Sequence, residues 1–430
     1  MTHRFQPRFL LIGMLGFFSG LPLALTASTL TAWLSDAKVD RASIGLFAAI
    51  ATPYALKFLW SPLIDGVRLP VLSQLLGRRR GWLAFVQALL ALAILLMAGN
   101  DPAANQWLTA LTGLIVATLS ATQDIAIDAY RVEYLKPEEQ GTGAAFVTFG
   151  YRIGMLASGA GALYLADQIG WHGTYVVMAA VMASGVVLTV FAREPSISGA
   201  QARVPSGSGW DPTQGSTAPV QARSIGEFIR EYVVAPFTDF MKRPHWWQVL
   251  VFVILYKLGD AFMGTMFNPF LLDLGFTKTE IAKVVKIYGL VATLVGSFAG
   301  GWLVTRIGMF RTLLLSGFFH MLTNFLLILQ AQMGNDIPFL TLSISLENFT
   351  GGMSSAAFIA YLSALCRVNY TATQYALLSS LAAFGRTWLS TPSGALAEQV
   401  GWEIFFGIAS LMAIPSLLLL VWLEKRQKRA

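Results

Sequence analysis

Asp124, Asp128 and Arg131 stand at i, i+4 and i+7 in the stretch SATQDIAIDAYR, so a helix would carry all three on one stripe. Around them the chain is apolar: 55% of its residues are hydrophobic and only 12% are charged, about half the roughly 25% of a soluble domain. A charge held in hydrocarbon costs at least about 2.5 to 3.5 kcal/mol, so such residues face a cavity or a partner. The stripe is therefore either a static ion pair clamping two helices or a place where a carboxylate exchanges its proton as its surroundings change.

Other charges lie at similar depth. Arg152 sits 11 residues into the next apolar stretch, and Asp124 lies 11 residues, about 17 Å at 1.5 Å per residue, from the end of its own, so the two are expected to meet. Lys257 and Asp260, at i and i+3, either neutralise each other or open to hold a carboxylate and a proton. Glu347, Asn348 and Arg386 form a candidate second polar cluster, and Gln123 offers an amide beside Asp124. Lys57 is flanked three residues away on each side by Tyr54 and Trp60, a cation among aromatic faces suited to sugars and carboxylates; plain packing is the alternative. The candidate proton-coupling residues are Asp124, Asp128 and Asp260. The candidate substrate-binding residues are Gln123, Lys57, Tyr54, Trp60, Arg152, Lys257, Glu347, Asn348 and Arg386.

Several chemistries have no residues to run on. Cys366 is the single cysteine and the four histidines are scattered, so neither a disulfide scaffold nor a metal centre is expected. Neither phosphate-cradling glycine motif occurs, and no cofactor is expected. A catalytic centre is expected to be absent as well.

Apolar runs of about 20 residues, long enough to cross a bilayer, recur twelve times, near 9–33, 42–65, 82–98, 106–134, 141–166, 172–192, 247–272, 278–304, 311–331, 338–366, 371–398 and 402–423. Between spans, Lys and Arg fall on one side except for Lys38, Arg41 and Lys278. Positive charge stays cytoplasmic, which places both termini of a multi-pass membrane protein in the cytosol. The pI near 9.5 then reflects topology and anionic lipid, and nucleic acid is not expected as a partner.

Residues 195–223 are rich in Gly, Ser, Pro and Gln, which predicts a flexible linker. Apolar residues at helical spacing then predict an amphipathic surface helix over 224–241, with an irregular loop broken at Pro236 as the alternative. The linker separates six spans from six, giving an N-terminal bundle (1–194), a cytoplasmic connection (195–246) and a C-terminal bundle (247–430). The halves are related: FGYR…SGAGALYLADQIGW (149–171) matches FGRTWLSTPSGALAEQVGW (384–402), and Ala129-Tyr130 falls opposite Ala360-Tyr361. Arg152 has a counterpart in Arg386, whereas Asp124 and Asp128 fall opposite Ser355 and Ile359, so the acids read as functional rather than architectural. A parallel six-plus-six repeat predicts an all-α membrane protein of the major-facilitator fold, with a cavity between its bundles.

Two loops carry a common pattern. Asp65 followed by Arg78, Arg79 and Arg80, and Thr305-Arg306 followed by Arg311, resemble the loop motif G-x-x-x-D-R-x-G-x-R-R of that superfamily, with an insertion after Asp65 and Thr305 in place of the acid. Such residues gate by holding a helix end in one conformation, or else anchor at lipid headgroups. Glycines at 13, 16, 20, 150 and 154 predict close helix contacts, and Pro22 predicts a kink with a freed carbonyl.

The stretches GFFSGLPLALTASTLTAWL (16–34), LKFLWSPLID (56–65), GRRRGW (77–82), SATQDIAIDAYR (120–131), GYRIGMLASG (150–159), LYKLGDAF (255–262), LENFTGGM (346–353) and YALLSSL (375–381) run through nearly every span. In them the chain resembles the bacterial muropeptide permease family (AmpG type) of major-facilitator transporters. The resemblance implies proton-driven import of N-acetylglucosaminyl-1,6-anhydro-N-acetylmuramyl peptides across the inner membrane for peptidoglycan recycling, a flux tied to β-lactamase induction and so to antibiotic resistance. It implies anhydromuropeptide, protons and lipid as partners, and a monomer. Competing expectations are a related transporter of acyl-coenzyme A or sugar derivatives, a membrane-embedded enzyme, and a non-transporting sensor.

Overall fold

In the computed structural model, residues 7–195, 224–389 and 392–427 are described, and among them regular structure is entirely helical. The expected linker, beyond residue 195, lies outside the described residues, as does the side chain of Arg386. Among the described residues, twelve long helical segments follow one another: Pro7–Asp36, 41–66, Arg78–Ala98, Gln106–Tyr134, 140–169, 171–191, then Trp246–Asp273, 278–307, Met309–Met333, Ile337–Ala364, Thr371–Trp388 together with 393–400, and 402–427. We number these spans 1 to 12. A further helix runs over 225–241, between spans 6 and 7.

Among the described residues, eight helical stretches are long and apolar enough by themselves to cross a membrane, and a bent pair at 103° raises that to nine. One of the eight, Pro137–Phe191, has 55 residues, about 80 Å of helix at 1.5 Å per residue and far more than one hydrocarbon core. It is two spans, turned at Gly170. Side chains such as Leu96, Trp107, Phe191 and Leu418 stay exposed, as lipid-facing residues do.

Local chemistry explains the breaks. Span 2 alternates between α and 3-10 turns because Pro53 and Pro62 each start a new short helix, where their missing N–H is harmless. Asp40 caps the start of this span, accepting from Ser43 N at 2.9 Å, and the Thr277–Glu280 capping box starts span 8. Span 1 runs through Pro22 to Thr26, and its helix is interrupted at Ala27 (φ −113°, ψ −101°).

Two compact units divide the chain. Unit 1 comprises Met1–Pro137, Phe149–Phe240 and Leu365–Leu377; unit 2 comprises Glu138–Thr148, Met241–Ala364 and Leu378–Ala430. Inside unit 1, Phe18, Leu21, Trp33, Ile94, Val116 and Tyr175 belong to one buried core. Span 5 lies directly on span 1, since a Cβ on Gly20, Gly150 or Gly154 would collide with backbone atoms of the facing helix. The unit 2 core includes Phe262, Phe270, Ile344, Phe405 and Phe406.

The duplication is visible in the geometry. Gly170 (φ 74°, ψ 170°) and Gly401 (φ 74°, ψ 167°) turn the chain in the same left-handed conformation between spans 5 and 6 and between spans 11 and 12. The next residue repeats too: Trp171 Nε1 donates to Asp36 Oδ2 at 2.9 Å, and Trp402 Nε1 donates to Asp273 Oδ2 at 3.2 Å.

Candidate functional site

Unit 1 gathers its charges on span 4. Asp124 and Asp128 are half-buried, and the Asp128 side chain retains 21% exposure. Ser19 Oγ of span 1 donates to Asp124 Oδ1 at 2.6 Å. Lys57 Nζ from span 2 stands 4.0 Å from Asp128 Oδ2, and Arg131 Nη2 lies 3.6 Å from Asp128 Oδ1. The Arg131 guanidinium also lies over the Tyr375 ring, 5.3 Å from its centroid. Two cations, two carboxylates and a hydroxyl thus gather from spans 1, 2 and 4, an arrangement able to trade an internal ion pair for contacts to an anionic ligand.

The expected meeting of Asp124 with Arg152 does not occur. Gly150 and Gly154 turn the smooth face of span 5 onto span 1, and Arg152, two residues from each, therefore points to the opposite side, where it is exposed. Lys57 and Ser19 occupy the positions around the acids instead. Trp60 donates from Nε1 to Thr122 Oγ1 at 3.0 Å, while Tyr54 packs against the unit 1 core. Gln123 is fully buried, and its Nε2 donates to Phe18 O at 2.7 Å. One N–H of that amide is committed to the fold, and Oε1 is buried without a hydrogen-bond partner among the described residues.

Unit 2 assembles a different cluster. Lys257 Nζ contacts Asp260 Oδ2 at 3.0 Å and Ser355 Oγ at 3.3 Å, and lies 5.8 Å from the ring centroids of Tyr256 and Phe358. Asp260 Oδ1 meets His320 Nε2 of span 9 at 2.8 Å, and His320 Nδ1 faces Thr350 Oγ1 of span 10 at 3.1 Å. Asn348 Nδ2 donates to Glu347 Oε2 at 2.7 Å, while Asn348 Oδ1 accepts from Thr293 Oγ1 at 3.0 Å. Ser355, the internal counterpart of Asp124, still faces the charged site. The acid has moved to the facing helix of the pair, from span 4 in unit 1 to span 7 in unit 2.

Asp65 is almost fully buried at the end of span 2. Its carboxylate accepts from Ala372 N at 3.2 Å and from Thr373 N and Oγ1 at 2.8 Å each, at the N-terminus of the helix that opens span 11. Arg79, also buried, bonds Asp65 Oδ1 at 2.7 Å and binds Glu133 through Nε and Nη2 at 2.5 to 3.1 Å. Arg78 Nη1 donates to Asp65 O at 2.9 Å, and Arg80 reaches Thr189 O at 3.1 Å and Val190 O. Glu194 receives the backbone N–H of Arg79 at 2.8 Å and of Arg80 at 3.0 Å; burial lifts its carboxyl above the ordinary range, and those two N–H groups pull it back. The second loop builds no counterpart. Thr305 bonds only Trp302 O, Arg306 lies over Trp302, and both Arg306 and Arg311 are exposed. Without the acid there is no charge to collect them.

Ser19, Glu133, Glu194, His320 and Thr373 escaped the sequence reading. His320 looked like one of four scattered histidines, and only its depth within span 9 signalled otherwise. Among the described residues, no group of three or more His, Cys, Asp or Glu is placed to hold a metal ion.

A family model described as Major Facilitator Superfamily matches residues 12–390 and 258–430. The chain is 39% identical over 419 residues to the anhydromuropeptide permease of Escherichia coli (strain K12), across 97% of this chain and 79% of that protein. It is 38% identical to the putative transporter AmpG 4 of Rickettsia felis, across 96% of each. Among solved structures, a bacterial homologue of the iron transporter ferroportin aligns with a TM-score of 0.68 at 15% identity, over 97% of this chain and 99% of that one. The proton:xylose symporter XylE aligns with a TM-score of 0.67 at 14% identity, over 95% and 94%. At such identities the structures speak for the fold alone. The relatives are transporters, as expected over an enzyme, and the apolar helices are those of a multi-pass membrane protein. The chain belongs to the AmpG-type permease family of the Major Facilitator Superfamily.

Proposed function

We propose that this protein is a proton-coupled secondary transporter that brings anhydromuropeptides from the periplasm into the cytoplasm for peptidoglycan recycling. It works by alternating access, as a monomer, in the bacterial inner membrane with both termini cytoplasmic. The observation that carries the reading is the half-buried stripe of Asp124 and Asp128 beside Lys57, in a chain 39% identical to an anhydromuropeptide permease. A sugar-peptide bearing carboxylates needs cations and aromatic faces, and a proton-driven step needs acids that exchange charge partners.

In this reading Lys57 and Lys257, with Tyr54, Trp60, Arg152, Glu347, Asn348 and Arg386, receive the cargo. Asp124, Asp128 and Asp260 take part in proton coupling. Asp65 with Arg78, Arg79 and Arg80 forms the gate, and Arg306 and Arg311, exposed and, among the described residues, without an acid beside them, would serve the second half only in another conformational state. Residues 1–194 and 247–430 act as the two bundles, and 195–246 joins them on the cytoplasmic side. In bacteria with an inducible β-lactamase, the same flux supplies the inducing signal.

The test is uptake of labelled anhydromuropeptide into proteoliposomes with and without an imposed pH gradient. Gradient-dependent accumulation is expected in the parent protein, and Asp124→Asn should abolish accumulation while sparing exchange. Uptake indifferent to the gradient removes the coupling, and turnover of the muropeptide without transport removes the transporter reading.

A further inference from the structure

We propose that His320 is a proton-binding site of unit 2, and that it is loaded when an anionic group of the cargo draws Lys257 away from Asp260. This rests on the transport reading above.

Asp260 is shared. Its Oδ2 holds Lys257 at 3.0 Å and its Oδ1 holds His320 Nε2 at 2.8 Å, so the ring keeps an N–H on Nε2 and donates it to the carboxylate. The other ring nitrogen meets a group that serves two states. Thr350 Oγ1 lies 3.1 Å from Nδ1, and the carbonyls of Leu346 and Glu347 both lie 3.0 Å from the same hydroxyl. With its proton turned to a carbonyl, the hydroxyl accepts from Nδ1–H and the ring is an imidazolium. With its proton turned to Nδ1, the hydroxyl donates and the ring is neutral. Rotating one O–H bond therefore accommodates gain or loss of a proton while the contact to Asp260 stays intact. Thr323 Oγ1, 3.0 Å from Thr350 Oγ1, extends the hydroxyl chain, and a cavity of about 20 Å³ beside the ring has room for one water.

The groups around His320 set the sign of the coupling. Span 7 presents Lys257 and Asp260, span 10 presents Glu347 and Thr350, span 9 itself presents Thr323 and Asn324, and span 12 presents Ser416 at the cavity. While Lys257 is paired, Asp260 divides its charge between the ammonium and the N–H of a neutral ring. An anion that engages Lys257 leaves the carboxylate to the imidazole alone, and a full negative charge at 2.8 Å retains the ring proton. Release of the anion returns Lys257 to Asp260, and the proton departs by way of the Thr350 hydroxyl. Asp260 remains a carboxylate throughout, and the proton travels on His320.

The affinity of the purified full-length chain for N-acetylglucosaminyl-anhydromuramyl tetrapeptide, measured from pH 6 to 8, tests this. One proton taken up with the ligand changes Kd about tenfold per pH unit. Replacing His320 by Gln should lower that slope by one proton and abolish the matching proton uptake recorded by a pH dye. An unchanged slope in His320→Gln overturns the assignment. Thr350→Val, which keeps the ring and removes the switching hydroxyl, should flatten the slope likewise, and carries the test if His320→Gln does not fold; an unaltered slope there overturns it. Parent protein that binds no muropeptide sinks the transport reading, and this inference with it, whereas pH-dependent binding untouched by either variant sinks this inference alone.

Discussion

Gln123 Nε2 bonds the carbonyl of Phe18, the oxygen that Pro22, four residues on and without an N–H, leaves unpaired in span 1. A proline in one helix is thus offset by an amide from another. Gln123→Leu strands that carbonyl, at a cost of about 1–3 kcal/mol. A lower Tm in detergent is expected, and Pro22→Ala in the same chain should restore part of it. An unshifted Tm with uptake lost would instead mark Gln123 as a cargo contact.

Arg79 is buried and satisfies two acids, Asp65 and Glu133. Arg79→Met leaves both carboxylates facing each other, and loss of one partner of a buried pair costs about 3–5 kcal/mol. Arg79→Lys should recover little, because a single ammonium cannot reproduce the forked contacts at Nε and Nη2. Thermal unfolding of the parent and the two variants side by side reads this ranking.

Lys57 and Asp128 form a charge pair in unit 1 at 4.0 Å. Lys57→Ala and Asp128→Ala are expected to be non-additive by about 0.5–3 kcal/mol in a double-mutant cycle on stability. A coupling near zero would mean that the two groups do not sense each other in the resting protein.

Gly170 and Gly401 give a cleaner comparison, since a Cβ on either meets nothing within 4 Å. The penalty for Ala at each is therefore purely conformational, about 1–3 kcal/mol, because φ near 74° with ψ near 170° is a region that essentially only Gly adopts. Near-equal Tm shifts for Gly170→Ala and Gly401→Ala are expected.

Burial raises the carboxyl of Glu194 above the ordinary range in the folded protein. Between the ordinary value and the raised one, the folded chain binds more protons than the unfolded, so stability falls as pH rises through that window. Glu194→Gln should flatten this part of the stability profile, measured as Tm against pH from the ordinary carboxylate range upward.

Much of this architecture could be read without coordinates. Span lengths, the internal duplication and the depth of Asp124, Asp128, Lys257 and Asp260 all follow from hydropathy and spacing. Rotation about a helix axis did not: Arg152 matches Asp124 in depth, but glycine packing of span 5 on span 1 turns it outward. Partners contributed by other helices were equally hidden. Ser19 and His320 become informative only once it is known that span 1 faces span 4 and that span 9 faces spans 7 and 10. Thr373 and Glu133 were invisible because their role depends on Asp65 and Arg79 converging from distant segments.

The tryptophan latches at Asp36 and Asp273 outlived the divergence of the charges around them. A corner that persists in both copies while the ionisable groups drift is a chassis, free to be refitted for new cargo. Selection acting on what such a permease carries can therefore rewrite spans 4, 7 and 9 and leave the bend of each half untouched.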